Sequence, residues 1–574
     1  MRVSKPGVAT TPPADSLTFD GQQIPARMGE SVAASLTAAG HYACRDSHHT
    51  GPRGVFCGMG VCSECSVVID GQPDRLACME PVTDGMRVER NAARRTLGMV
   101  SPAPVEIELD CDVLVVGAGP AGLRAALAAH AAGANVVVLD ERSGPGGQFF
   151  KQPASAFSIV EEELDRQFRA GRELRREVAG TDIQIRQGMR VWGSEGPHRV
   201  YAANDRERLS VRSRALVLAT GAYERGLPFP GWTLPGVMTT GAAQTLLRSY
   251  LVAAGPRVLI AGNGPLNLQL ASELSAAGAR VVAVAESADL WRPSSAFHGA
   301  SMLAAAPAYF LEGIGYLRRL ARRRIPILAR TVVREVRGGD RAQVAVTARI
   351  DERGQAVAGT ERTFEIDAVC LGYGFIPSSE LARTLGCATR VDNRSGALVV
   401  QRDSSGRTSI RGVWVVGDGG SIGGANVAEA MGTLCGLDVA RHLGLAVDDA
   451  LARTTSRTLA RSQRFQRALW RQYNAPALRD QLATADTVIC RCEEVTLGEL
   501  VNTDEWLDAA GTLKRVTRAG MGKCQGRYCA PIVNEIAARR SRSTLDERSG
   551  FAPQWPLHPT PVATMALGPS EPGE

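Results

Sequence analysis

A chain of 574 residues, 44% hydrophobic and 22% charged, is long enough at ~150 residues per domain for three or four domains, and too apolar to be disordered. Its 66 Lys and Arg against 59 Asp and Glu leave a net charge of +7 with no concentrated basic face, which excludes a nucleic-acid binder; the surplus suits an anionic membrane surface or serves solubility alone. The 61 glycines exceed the usual share of ~7% and point to many tight turns, of the kind nucleotide-binding loops need.

The first residues, MRVSKPGVATTPPADSLTF, contain no apolar signal region and no small-residue cleavage pattern. No apolar run approaches the ~18 residues of a membrane span, so a cytoplasmic protein is expected, at most peripheral on the inner membrane. Thirteen cysteines in so long a chain do not make a disulfide scaffold. Eight fall into two tight groups, and Cys44, Cys111, Cys370, Cys387 and Cys435 read as small core residues.

Residues 15–92 begin with alternating short segments and carry the first group: Cys57-x4-Cys62-x2-Cys65, then Cys78 after twelve intervening residues. This is the spacing of plant-type [2Fe–2S] sites, in which a short loop supplies three of four thiolates. A zinc knuckle is the competing reading, but only Cys62 and Cys65 have the C-x2-C spacing that zinc sites use twice. His48 and His49 are not interleaved with cysteines and read as loop residues. Residues 91–109, with Pro102 and Pro104, read as a connector.

From Cys111 the stretch DVLVVGAGPAGLRAALAAHAAGANVVVLDER predicts strand, glycine loop, helix and second strand. In the loop Gly117, Gly119, Pro120 and Gly122, the first glycine permits the tight turn, the second lets a pyrophosphate approach, and the third lets helix pack on strand. The helix N-terminus favours the phosphates, and Asp140, followed by Glu141, ends the second strand where a ribose hydroxyl can be bound. Together these predict an adenine dinucleotide over residues 110–250. Two further stretches, ALVLATGAYER with Thr220 and Gly221, and GVWVVGDGGSIGGANVAEAMG with Gly417 and Asp418, resemble the remaining motifs of flavoproteins with two dinucleotide-binding domains. That resemblance implies FAD, with Asp418 meeting the ribityl chain and Gly146-Gly147-Gln148 in the flavin-proximal loop.

Residues 251–364 repeat the pattern as an inserted second nucleotide domain, with Gly262-x-Gly264-x-x-Asn267 and the acid Glu286. Asn in place of the third glycine is expected to hinder close helix–strand packing, so the occupant of this domain stays open among NAD(P)H, another nucleotide and none. No C-x-x-C lies near the flavin motifs, which counts against dithiol chemistry. The flavin domain resumes over 365–448.

Residues 449–540 open with a basic helix around Arg461–Arg471, able to dock a partner or lipid surface or simply to be solvated, and then carry the second group. Cys490-x-Cys492 and Cys524-x4-Cys529 are separated by 31 residues, with Gly520, Gly522 and Gly526 freeing the second loop to wrap a cluster. The pattern resembles the small helical [2Fe–2S] domain of the bacterioferritin-associated-ferredoxin type; four thiolates also suit zinc. Residues 541–574 read as an extended tail.

Taken in order, the fold is expected to be α+β and α/β multidomain: a β-grasp-like [2Fe–2S] domain, a two-dinucleotide-domain core of Rossmann type, and a helical four-cysteine domain. This order resembles the large electron-transfer subunit of heteromeric amine and amino-acid dehydrogenases. The group includes opine oxidases, hydrogen cyanide synthase and multi-subunit proline and hydroxyproline dehydrogenases, and here RGVFCGMGVCSEC resembles a small ferredoxin-like subunit fused in front. The resemblance implies a partner chain like D-amino-acid oxidase that carries its own FAD and binds the substrate. It also implies an FMN between the subunits, and electrons leaving through iron–sulfur centres to a quinone or another acceptor. No catalytic residue is expected on this chain; His298 is a lone histidine of ordinary kind. The alternatives are a self-contained NAD(P)H-dependent reductase and a non-redox module with zinc in both cysteine sites.

Overall fold

Strand periodicity builds the N-terminal unit. In Gln22–Ala26 only Ile24 and Ala26 are buried, the two-residue alternation of a sheet with one wet face. Five strands stand in the order Gln22–Ala26, Asp15–Phe19, Arg87–Arg90, Ser66–Ile69, Gln72–Leu76, and the helix Val32–Ala38, capped by Ser31 onto the Ala34 N–H at 3.2 Å, covers their inner face. The computed structural model describes residues 1–9, 15–92, 104–392, 395–503 and 509–566.

The connector expected over 91–109 ends earlier on its C-terminal side, because Val105 already starts a strand running to Val116. The alternating half of that strand, Val105–Asp110, pairs with Glu207–Arg212, and the apolar half lies buried in a parallel sheet. Residues 93–103 of the connector lie outside the described residues. The first dinucleotide sheet has seven strands, and Val413–Val415 joins it in parallel beside Leu216–Leu218. The flavin domain is therefore completed only after the inserted domain. Helix Ala425–His442 then lies so close on helix Pro120–Ala131 that a Cβ on Gly432 would sit 2.2 Å from the Ala121 carbonyl oxygen.

The second parallel sheet, in the order Val237–Thr239, Ala368–Gly372, Arg257–Gly262, Arg280–Glu286, Ile327–Ala329, draws its first two strands from outside the expected bounds 251–364 of the inserted domain. Asn267 does not hinder packing there. Its side chain accepts from Thr240 Oγ1 at 2.8 Å and donates to the Gly372 carbonyl at 3.1 Å, stitching the helix Pro265–Ala276 to the neighbouring strand. The basic helix Asp449–Gln472 is half accounted for: Phe465 and Ala468 pack with Met302 and Ala305 of the helix Ser295–Ala305, while its arginines remain largely exposed.

The C-terminal unit combines a short hairpin, Val488–Cys490 with Val495–Thr496, and the helices Leu497–Val501, Ala510–Thr517 and Ala530–Arg540. The segment read as a tail has little regular structure up to residue 566, yet it is not free. Phe551 is buried against Gly520 and Gly526, and the Leu557 N–H donates to the Trp192 carbonyl at 2.9 Å. Its apolar side chains supply the reason: Phe551 and Leu557 are both buried, strapping the last unit to the first dinucleotide sheet. Residues 567–574 lie outside the described residues.

One ionic knot joins three of these parts. Asp165 caps the helix Arg166–Ala179 through the Phe168 N–H at 2.9 Å, and pairs with Arg248 at 3.1 Å and Lys5 at 3.0 Å. Burial raises its carboxyl, but Arg248, Lys5 and the cap outweigh that and bring it from 3.8 down to about 2. The folded state thus holds this proton less tightly than the unfolded chain, so the contribution is complete above pH ~4 and lost as pH falls toward 2. In denaturant titrations, Asp165→Asn is expected to lower the midpoint at pH 7, and the gap to the parent protein should narrow steadily between pH 4 and pH 2.

Candidate functional site

The glycine loop after Val116 meets its geometric demands. A Cβ on Gly122 would lie 1.9 Å from the Gly117 carbonyl oxygen, and one on Gly147 would lie 2.8 Å from the Gly119 Cα. The 117–119 and 146–148 loops therefore abut, as a dinucleotide cradle requires. They line a cavity of about 1270 Å³, together with Pro120, Asp140, Glu141, Gln148, Thr220, Gly221, Gly417 and Asp418. Its size exceeds the ~300–1,000 Å³ of a usual small-molecule pocket. Asp140 spends both oxygens on the backbone, accepting from Ala118 N–H at 2.6 Å and Arg142 N–H at 2.8 Å. Glu141 lies beside it on the cavity wall, with its side chain one third exposed. Asp418 Oδ1 accepts from the Gly423 and Gly424 N–H groups at 2.8 and 3.1 Å, and burial raises its carboxyl. Thr220 Oγ1 donates to the Ser378 carbonyl at 2.5 Å, and the Gln148 amide oxygen faces the Arg142 guanidinium.

The second dinucleotide fold is arranged differently. Gly264 reaches the same cavity, but Gly262 and Glu286 do not. Glu286 is fully buried and accepts from the Gly264 and Ala288 N–H groups at 3.1 and 2.9 Å; burial pushes its carboxyl up to about 8. Its carboxyl is turned into the loop and away from the cavity. The basic helix closes the outer side: Trp470 stands 3.6 Å from where a Gly264 Cβ would be, and Asn263 donates to the Tyr473 carbonyl at 3.1 Å.

Each cysteine group gathers two by two. Cys57 meets Cys62 and Cys65 meets Cys78 within hydrogen-bonding reach; in the second group Cys490 meets Cys529 and Cys492 meets Cys524. Backbone donors point at sulfur, Glu64 N–H to Cys62 at 3.5 Å and Gly520 N–H to Cys490 at 3.4 Å. Two pairs of thiols are what a two-iron centre uses, and four thiolates also suit a single zinc. The five scattered cysteines are all buried, and burial raises their thiols, Cys44 and Cys111 to about 12. They are inert core residues. His48 and His49 are held by their backbone N–H groups to Glu494, at 2.7 and 2.9 Å.

The two groups are also joined to each other. Glu64, between Cys62 and Cys65, is fully buried and receives Arg491, between Cys490 and Cys492, at 2.9 and 3.1 Å. Arg45 at 2.7 Å and Arg53 at 3.5 Å complete its shell. Burial raises the Glu64 carboxyl, but Arg491, Arg45 and Arg53 prevail and hold it below its ordinary range. Removing one partner from so buried a network costs ~3–5 kcal/mol.

Sequence reasoning missed this pair, and it also missed a polar pocket in the cavity wall. There Lys151 donates to Gln244 at 3.0 Å, and Glu224 accepts from the Gly241 N–H at 2.7 Å. Burial moves the lysine down to about 7 and the glutamate up to about 7. Arg527, Leu557 and His558 line the same cavity from the C-terminal unit. A charge placed between ligand cysteines was the available signal, since a buried charge needs a partner. Lys151 and Glu224 gave none. His298 is not on the cavity wall.

The loop geometry sets a direct test. Gly122→Ala forces the loop and helix apart, at ~1–3 kcal/mol for overpacking. A lower melting temperature and loss of bound dinucleotide absorbance are expected, whereas wild-type values for both would contradict the close approach.

Comparison with known proteins agrees with this layout. Residues 111–432 match the family model described as pyridine nucleotide-disulphide oxidoreductase, and residues 16–93 match the 2Fe-2S iron-sulfur cluster binding domain. An opine oxidase subunit of Agrobacterium tumefaciens (strain Ach5) is 34% identical over 482 residues, covering 79% of this chain and 91% of the relative. Hydrogen cyanide synthase subunit HcnB of Pseudomonas aeruginosa is 34% identical over 470 residues, covering 79% and 97%. The crystal structure of L-proline dehydrogenase from P. horikoshii shares the fold, with a TM-score of 0.69 at 20% identity over 96% of this chain and 97% of that one. The chain therefore belongs to the pyridine nucleotide-disulphide oxidoreductase family, in the group of flavoprotein oxidoreductase subunits that includes HcnB and its opine oxidase counterpart, and carries a 2Fe-2S domain in front of that core.

Proposed function

We propose that the chain is the electron-transfer subunit of a heteromeric flavoprotein dehydrogenase that oxidises the C–N bond of an amine or amino acid at a partner chain. One observation carries this reading: Cys57, Met59 and Val61 of the first cysteine loop form part of the wall of the dinucleotide cavity. A flavin seated on the glycine loop and a cluster on the four thiols are then neighbours in one chain. FAD supplies the conversion of a two-electron donor into one-electron steps. Gly117, Gly119, Pro120 and Gly122 would hold its pyrophosphate at the helix N-terminus, Glu141 beside Asp140 its ribose, and Asp418 its ribityl chain. Gly147, Gln148, Thr220 and Gly221 frame the flavin end. Cys57, Cys62, Cys65 and Cys78 would hold one [2Fe–2S] cluster, and Cys490, Cys492, Cys524 and Cys529 a second.

The relatives are named as subunits, and the partner in this reading is a D-amino-acid-oxidase-like chain with its own FAD, an FMN lying at the shared interface. Opines, proline derivatives, glycine and sarcosine are the candidate substrates, and a quinone or similar compound the acceptor. Among the described residues no helix is long and apolar enough to cross a membrane, so contact with a membrane quinone would be peripheral. The inward-turned Glu286 and the Trp470 roof argue against NAD(P)H in the second fold. The reachable Gly264 loop is the one feature that favours the reductase alternative.

Anaerobic mixing with NADH and then NADPH separates the two readings. Flavin and cluster absorbance should stay unchanged in protein that dithionite reduces, and rapid bleaching would give the reductase reading the lead. The isolated chain should oxidise no amine until its flavoprotein partner is added. Cys57→Ser is expected to block electron exit while leaving reduction of the partner flavin intact, so unchanged steady-state turnover would refute the first cluster's role.

A further inference from the structure

We propose that the two four-cysteine sites form one electronically coupled unit, with Glu64 and Arg491 as the positioning residues that lock them together. The inference rests on the two-cluster reading and adds a property that reading does not require. Two clusters in one chain can serve different partners from opposite ends of the molecule; here their loops are in direct contact.

The contact is made twice, each time by residues covalently adjacent to ligand cysteines. Glu64, inside Cys62–Cys65, binds Arg491, inside Cys490–Cys492, through two nitrogens at 2.9 and 3.1 Å. Phe56, bonded to Cys57, packs edge-on against Tyr528, bonded to Cys529, with ring centroids 5.5 Å apart. The Arg491 guanidinium stacks 4.0 Å from the Phe56 ring and 4.6 Å from Trp232, and so ties the two contacts into one layer. Phe56, Trp232, Tyr528, Glu64 and Arg491 are all buried, which keeps water out of the gap. Cys57, Cys62 and Cys524 belong to the same continuous hydrophobic core as these rings, with Cys492 packed against it.

Electron passage across such a junction is simple in its balance. One centre loses an electron, the other gains it, and no bond or proton changes hands; the Glu64–Arg491 ion pair lies between the two loops. Those charges act on both centres at once, because in a dry, low-dielectric layer neither is screened from either side. A carboxylate near a cluster disfavours the added electron, and a guanidinium favours it.

Three measurements test the coupling on the full chain. Iron content comes first: about four irons per chain is the two-cluster reading, and about two would overturn that reading and the coupling with it, whereas the next two measurements can overturn the coupling while the two-cluster reading stands. Electron paramagnetic resonance of the dithionite-reduced wild-type protein should then give broadened or split, fast-relaxing signals. Two independent, magnetically isolated signals in protein with full iron would overturn the proposal. Redox titration of variants is the third. Glu64→Gln should raise the midpoint potentials of both centres and Arg491→Gln should lower both, whereas a shift confined to the centre on the mutated side would also overturn it. Arg491→Lys, which keeps the charge but not the two-nitrogen fork, should restore both potentials and serves where the neutral variants fail to fold.

Discussion

A single carboxylate organises the redox end of this molecule. Glu64 is the only acid inside its cysteine loop, it has no access to water, and a charge in that position is tolerable only when neutralised. Three arginines from different places do so: Arg45 and Arg53 from the same N-terminal unit, Arg491 from the far end of the chain. Once Arg491 is committed, the hairpin carrying Cys490 and Cys492 must lie against the first cysteine loop. Trp232, from the stretch before the inserted domain, closes the layer and donates its indole N–H to the Val488 carbonyl at 2.7 Å. Placement of the C-terminal unit, the aromatic stack and the edge of the dinucleotide cavity all follow from satisfying that charge.

The dinucleotide core contributes a different constraint, that of close approach. Glycines let the 117–122 loop, the 146–148 loop and the helix Ala425–His442 meet at backbone distance, so a large cavity forms with walls drawn from widely separated parts of the chain. The inserted domain has the same strand-loop-helix order with different side chains around its loop. Its acid is buried and turned inward, its third loop position is a hydrogen-bonded asparagine, and a tryptophan from the basic helix stands over its second glycine. The first loop lines the cavity through both Gly117 and Gly119, the second through Gly264 but not Gly262.

What the sequence made legible follows from how local each signal is. Gly117-x-Gly119-x-x-Gly122 and the C-x4-C-x2-C spacing are short-range patterns whose geometry is decided within a few residues: the glycine loop meets its neighbours at backbone distance, and the cysteines lie side by side. Asn267 is legible as a departure but not in its consequence, because its partners Thr240 and Gly372 are distant in sequence. Glu64 and Arg491 are 427 positions apart, and nothing periodic links them. The Pro and Gly content of the tail misleads, whereas the buried apolar side chains Phe551 and Leu557 decide its path.

The separation of Glu64 from Arg491 also has a consequence in time. At ~5–20 residues per second, synthesis takes roughly 20–85 s to travel the 427 residues between them. Throughout that interval the first cysteine loop is already made while the layer that will cover it does not yet exist. The buried face of that loop, Glu64 included, therefore stays uncovered until the last domain docks. Burial of the loop is thus among the last steps that the order of the chain allows, with the C-terminal unit acting as the closure.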